Sequence, residues 1–232
     1  MNNITLAGLF FTAPSAAFAE LRERPRFLFP LIALVVATTA VTAWYYSIVD
    51  FEWLKDHLFS GSKRMQEMSE AQRARVMGIS PKVMLTTSII GTFIGLPIVL
   101  SLQTAYCLLA GKITNVQQSF LQWFSLLTWS NIPVIVGAAA SLILLATQTS
   151  PVQVTPSELQ MLSLNELVFH RGPAEPGYAV LVGLNLLSFW AWGLAIVGVR
   201  TWSNRSWLFS AVFVLLPFFA IYGVWTFFAF KG

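Results

Sequence analysis

His57 next to Asp56, and His170 one helical turn after Glu166, are the pairings in this sequence that carry metal-ligand chemistry, because imidazole nitrogen and carboxylate oxygen both bind divalent cations. Each pair brings two ligands, whereas a zinc site takes three or four from the protein. A solvated histidine beside a carboxylate is the plain alternative, so no metal or other cofactor is expected. These are the chain's two histidines and Cys107 is its one cysteine, which removes an intrachain disulfide and leaves little for general-base chemistry. There is no paired-histidine helix motif, no glycine-rich phosphate loop and no aspartate pair in an apolar run, so no catalytic residue is assigned.

The other polar groups of interest lie in apolar surroundings. Gln103, Asn131 and Asn185 fall within long hydrophobic runs, where an amide is costly unless it bonds across helices or to freed backbone groups. Pro97, Pro133 and Pro217 lie in such runs too. Each lacks an N–H and disturbs the carbonyl four residues earlier, so kinks are expected. Transporters line polar cavities with the same combination of broken helices and buried amides. Gly91 and Gly95 are spaced one turn apart, which lets a second backbone approach closely, either another helix of this chain or a second copy. Gly137 with Ser141, and Ala191 with Ala195, repeat that small-residue spacing.

The elements that must hold these residues follow from composition. Of 232 residues, 56% are hydrophobic and 10% charged, and the mean hydropathy is +0.68. A soluble domain carries roughly a quarter charged residues. The composition therefore predicts an all-α, polytopic membrane bundle. Five stretches reach the length of about 20 apolar residues that crosses a hydrocarbon core: 27–49, 84–110, 123–147, 178–199 and 207–230. None contains an ionisable Asp, Glu, Lys, Arg or His. Their continuous apolar character differs from the alternation of a membrane β-barrel. Residues 27–232 form the transmembrane domain, with outer loops at 50–83 and 148–177.

Basic residues mark the side that stays cytoplasmic. With the N-terminus inside, the inner segments hold Arg22, Arg24, Arg26, Lys112, Arg200 and Arg205 against Glu20 and Glu23, while the outer segments balance eight basic against eight acidic residues. The whole net charge of +4 then meets anionic headgroups. The bilayer, not nucleic acid, is the partner this pattern suits. Residues 1–26 form a cytoplasmic N-terminal segment; its first twenty residues imitate a secretory signal but lack Lys and Arg before the apolar run, so they are expected to stay attached, with Pro14 opening a short interfacial helix. In the outer loops, Ser69 with Gln72, and Thr155-Pro156-Ser157-Glu158, have the spacing of capping boxes, so short helices forming a small cap are expected. Trp190 and Trp192 are expected inside the bundle.

Several phrases carry a resemblance. Phe11-Thr12-Ala13-Pro14-Ser15-Ala16-Ala17-Phe18 followed by Arg22-Glu23-Arg24-Pro25 resembles the approach to the first span in bacterial members of the Yip (Ypt-interacting protein) family. Met65-Gln66-Glu67-Met68-Ser69-Glu70-Ala71-Gln72-Arg73 is similar to their outer loop, and Ser130-Asn131-Ile132-Pro133 to their third span. Phe189-Trp190-Ala191-Trp192-Gly193-Leu194 with Gly198 is similar to their fourth. The resemblance implies five transmembrane helices, a cytoplasmic N-terminus, an external C-terminus, a bacterial inner-membrane location and no enzyme activity. Eukaryotic relatives bind Rab-type GTPases. The acidic Asp-Leu-Tyr-Gly-Pro-type motif associated with them has no clear match here, so that partner is not carried over. Two functions remain in view: a membrane interaction or organisation component, pairing with itself or another membrane protein, and a small-solute permease.

Overall fold

Asn2 accepts the Thr5 amide at 2.7 Å and opens α1, Asn3–Thr12, while Pro14 opens α2, Pro14–Glu23. In the computed structural model, which describes residues 1–59, 68–149 and 152–231, these two helices form a hairpin built into the bundle. Leu6, Phe10, Ala17, Phe18 and Leu21 are buried with Trp129, Trp202 and Val199. The Trp202 indole donates to the Phe18 carbonyl at 2.7 Å, and the Trp129 indole to the Arg26 carbonyl at 2.6 Å. The base of the hairpin is pinned by Arg26, which bonds both Glu20 and the Met1 carbonyl at 2.7 Å.

The aromatic face of the expected short helix is thus turned onto tryptophans of the bundle. Phe11, near the hairpin tip, meets the Trp190 ring at 5.5 Å. Trp190 lies ten residues from Arg200 on one helix, about 15 Å along its axis, or about half of a 30 Å hydrocarbon core. Each hairpin helix has 10 residues and is also about 15 Å long. The two helices run out and back beside the bundle, with their aromatic face covered by Trp129 and Trp202.

Helix α3 is Leu28–Ile48, α4 Phe51–Phe59, α5 Glu70–Met77 and α6 Pro81–Thr114, longer at both ends than its hydropathy run. The third span is two helices, α7 (Phe120–Ser130) and α8 (Pro133–Thr147). Pro133 therefore begins a helix instead of kinking one, and the side chain of Asn131, the cap residue of α7, donates back to the Leu127 carbonyl of that helix at 2.8 Å. The stretch expected as a fourth span is discontinuous: α9 is Tyr178–Gly183 and α10 is Leu186–Ser203, with Asn185 accepting the Leu187 amide at 2.9 Å as the cap of α10. Helix α11 is Trp207–Lys231. Four segments among the described residues are long and apolar enough to cross a membrane: α3, α6, α7 with α8, and Trp207–Phe230. The expected fourth span is not among them: its longer helix, Leu186–Ser203, has 18 residues, but Arg200, Thr201, Trp202 and Ser203 make its last turn polar.

Residues 123–130 of α7 are buried on every side, as a helix at the centre of a bundle must be. A second, smaller cluster lies at the opposite end. Val152 bonds back to Ile48 and Asp50 in a short parallel bridge, and Tyr45 donates to the Val154 carbonyl at 2.8 Å. Phe51, Leu54 and Leu145 pack there. Lys55 joins α4 to α5 through the Met77 carbonyl at 3.0 Å. Ser69 and Gln72 exchange both capping-box bonds. Thr155 and Glu158 exchange theirs too, but residues 156–159 are a turn and not a helix. Lys63, Arg64 and the Met65-Gln66-Glu67 phrase lie outside the described residues.

Candidate functional site

The loop that follows α8 packs into the bundle. Leu164 donates to the Leu184 carbonyl at 2.8 Å and Leu186 to the Leu162 carbonyl at 2.9 Å, so backbone left unpaired between α9 and α10 is paired by residues 162–164. Ser163 and Asn165 are buried beside it, and the Ser141 hydroxyl takes the Leu159 carbonyl at 2.8 Å. Non-helical backbone at membrane depth is tolerated where protein or a cavity surrounds it. Here both conditions hold.

Two cavities of about 490 Å³ flank the broken spans. The first lies beneath the cap between α3, α6, α8 and residues 156–162, with hydroxyl and amide groups from Thr38, Thr42, Ser88, Thr92, Gln160 and Asn185 in its walls. The second lies deeper, between α6, α7, α10 and α11, and is mostly aliphatic and aromatic, with Gln103 and Asn131 as its amides. Val134 and Ser188 line both, so the cavities adjoin there. No charged residue is among those lining either one. The deeper cavity ends on Leu126, Val199 and Val214, which belong to the filled aromatic core above the hairpin.

Proline positions explain part of this geometry. Pro217 cannot supply the N–H that the Phe213 carbonyl would receive, and the Tyr106 hydroxyl donates there at 2.7 Å instead. The Tyr222 hydroxyl likewise takes the Gly183 carbonyl at the end of α9, at 3.0 Å. Pro97 lies inside α6, next to this cavity's wall. The side-chain amide of Gln103 has no hydrogen-bond partner among the described residues.

The small residues are split. A Cβ at Gly137 would come within 2.4 Å of the Leu187 side chain, Ser141 is buried, and Ala191 and Ala195 are buried on the lining of the deeper cavity. A Cβ at Gly91 or Gly95 meets nothing within 4 Å. The close intrachain approach expected there is not made among the described residues. Trp192 packs on Phe218 at 4.7 Å, whereas Trp190 is exposed, contrary to its expected burial. His57 stacks on Trp53 at 5.0 Å, and His170 ends the π-helical turn Asn165–Phe169 in a left-handed conformation. Neither belongs to a cluster of three metal-binding side chains among the described residues. Sequence reasoning passed over Thr38 with Thr42, and Ser88 with Thr92. Their four-residue spacing, which places each pair on one helix face, was the available signal.

Residues 7–228 match the family model of the Yip1 domain. No curated protein matches the chain, and no solved structure does.

Proposed function

The chain belongs to the Yip1 domain family, and from that premise we propose that it is a non-enzymatic multi-pass protein that associates with a second membrane helix, from its own copy or another protein, along the Gly91–Gly95 face of α6. The observation that carries this reading is the open face itself. Two glycines one turn apart leave room for a backbone, nothing among the described residues fills it, and Phe93, Ile94 and Ile98 around it are exposed. Association of membrane helices relies on such close approach. A permease is the weaker reading, since the deeper cavity ends on the filled core and no Asp, Glu, Lys, Arg or His lines either cavity.

The finer placement belongs to the same proposal. Met1 and Arg26 lie together at one end of the bundle, while the Phe230 ring lies against Arg171 and Gly177 at the other. Opposite ends suit five crossings, with α9 and α10 as the interrupted fourth. The end carrying Arg22, Lys112 and Arg205 is assigned to the cytoplasm of a bacterial inner membrane by its basic residues.

The test is Gly91→Leu combined with Gly95→Leu, in protein cross-linked within native membranes. The folded yield should stay level, because leucine suits lipid at least as well as glycine, while cross-linked dimers or heteromeric products disappear. Retention of every cross-linked product by the double variant refutes the interface.

A further inference from the structure

We propose that the two adjoining cavities hold one uncharged lipid, with a hydroxyl-rich head under the cap and an acyl chain in the deeper cavity. Binding here does not require the α6 interface, so either idea can fail alone. The argument begins with the gradient of chemistry along the path. Beneath the cap, Thr38, Thr42, Ser88, Thr92 and Gln160 offer hydroxyl and amide groups. Past Val134 and Ser188 the walls turn to Val99, Leu102, Ala195, Val214, Phe218 and Ile221. A ligand filling both must be polar at one end and apolar at the other.

Charge narrows the head. Neither lining contains a Lys, Arg, His, Asp or Glu, so a phosphate would be desolvated with no counter-ion, at a large cost. Neutral hydroxyls can bond the amide of Gln160, which has no side-chain partner among the described residues, and can be accepted by the threonine oxygens, whose own protons already go to carbonyls in Thr38, Thr42 and Thr92. Size agrees, because each cavity falls in the range of about 300 to 1,000 Å³ typical of ligand sites. The source is the surrounding bilayer: Val99, Leu102 and Ile221, on the facing edges of α6 and α11, are exposed where acyl chains would lie. A sugar- or glycerol-headed diacylglycerol has this chemistry.

The experiment uses the full chain in phosphatidylcholine vesicles containing a glucosyl diacylglycerol probe, with a diazirine on the sugar or at the acyl terminus. Sugar-labelled probe should cross-link to peptides covering 38–46 and 156–162, and chain-labelled probe to 99–107 and 214–222. Matching phosphatidylcholine and phosphatidylglycerol probes should label these peptides less. Gln160→Leu should weaken capture by about two- to tenfold, the loss of one neutral hydrogen bond. Ser188→Phe, which blocks the junction of the cavities, should stop chain labelling while the sugar probe loses its site. Equal labelling by the phospholipid probes overturns the proposal, as does labelling confined to exposed faces of α6 and α11. Unchanged capture by Gln160→Leu also overturns it, and that variant decides the matter if Ser188→Phe does not fold.

Discussion

At the scale of single residues, the bond from Tyr106 to Phe213 shows how a proline in a span is accommodated. Pro217 removes one donor, and the freed carbonyl is served by a hydroxyl 107 positions earlier in the chain. Tyr106→Phe should therefore cost about 1 kcal/mol, the usual scale for a hydrogen bond inside a membrane bundle. In a Pro217→Ala background the same change should cost close to nothing, because the new amide serves the carbonyl. Unfolding in mixed micelles measures both, and equal costs in the two backgrounds would sink the explanation. The need for a donor could be read from Pro217 alone. Its identity could not: Gln103, Asn131 and Asn185 are the obvious amides, yet Asn131 returns to Leu127 and Asn185 caps α10, both within four residues. Hydropathy ranks residues by cost in lipid and says nothing of which distant carbonyl they meet.

At the scale of elements, the hairpin of α1 and α2 was the hardest to foresee. Its apolar residues alternate with Thr12, Ser15 and Glu20 in a way that suits an interface, and only Trp129 and Trp202, far along the chain, turn its aromatic face inward. A single cysteine placed at Thr12, at the tip, should resist a membrane-impermeant maleimide added from either side, while one at Arg24, at the base, should react from the N-terminal side. The buried Cys107 keeps the background low. Labelling of both positions from the same side would restore an interfacial helix. The break at Leu184 was equally hidden, since Gly183, Leu184 and Asn185 sit in an unbroken apolar run and are interrupted only because residues 162–164 arrive to pair with them. The cap element offers a pH test. The Trp53 amide, and then the Gln153 side chain, hold the Asp50 carboxyl below its ordinary value. A lowered value means that this stabilisation is full above the unfolded carboxyl's titration and is lost as the pH falls through the folded one. Pepsin cleavage within 152–159 should accelerate as the solution is acidified across that window. Relative to pepsin's rate on an unstructured peptide of the same sequence, this acid-dependent acceleration should be absent in Asp50→Asn, and an identical normalised pH profile in the variant would remove Asp50 from the account.

At the scale of the whole molecule, the chain divides its buried surface between an aromatic core at the basic end and a smaller cluster under the cap, with the cavities between them. The membrane class and the spans α3, α6 and α11 were legible because continuous hydropathy is a local property that lipid enforces residue by residue. The cavities were not, since they exist only where two broken helices and an inserted loop fail to fill the same volume. Orientation is intermediate: the structure fixes which connections share an end, and the basic residues assign that end to a compartment. Arg205 reaches the Thr114 carbonyl at 3.1 Å and Gln122 the Arg22 carbonyl at 2.9 Å, so the N-terminal flank, the connection after α6 and the connection after α10 must share one side. Reporters fused after Gly111 and after Asn204 should then give the same answer, and by the basic residues that answer should be cytoplasmic. A reporter at Gly172, in the cap that also receives Phe230, should be external. Opposite answers at Gly111 and Asn204 would contradict the bundle itself. A uniform reversal at all three positions would leave the fold intact and show that the charge of the flanks does not set its direction.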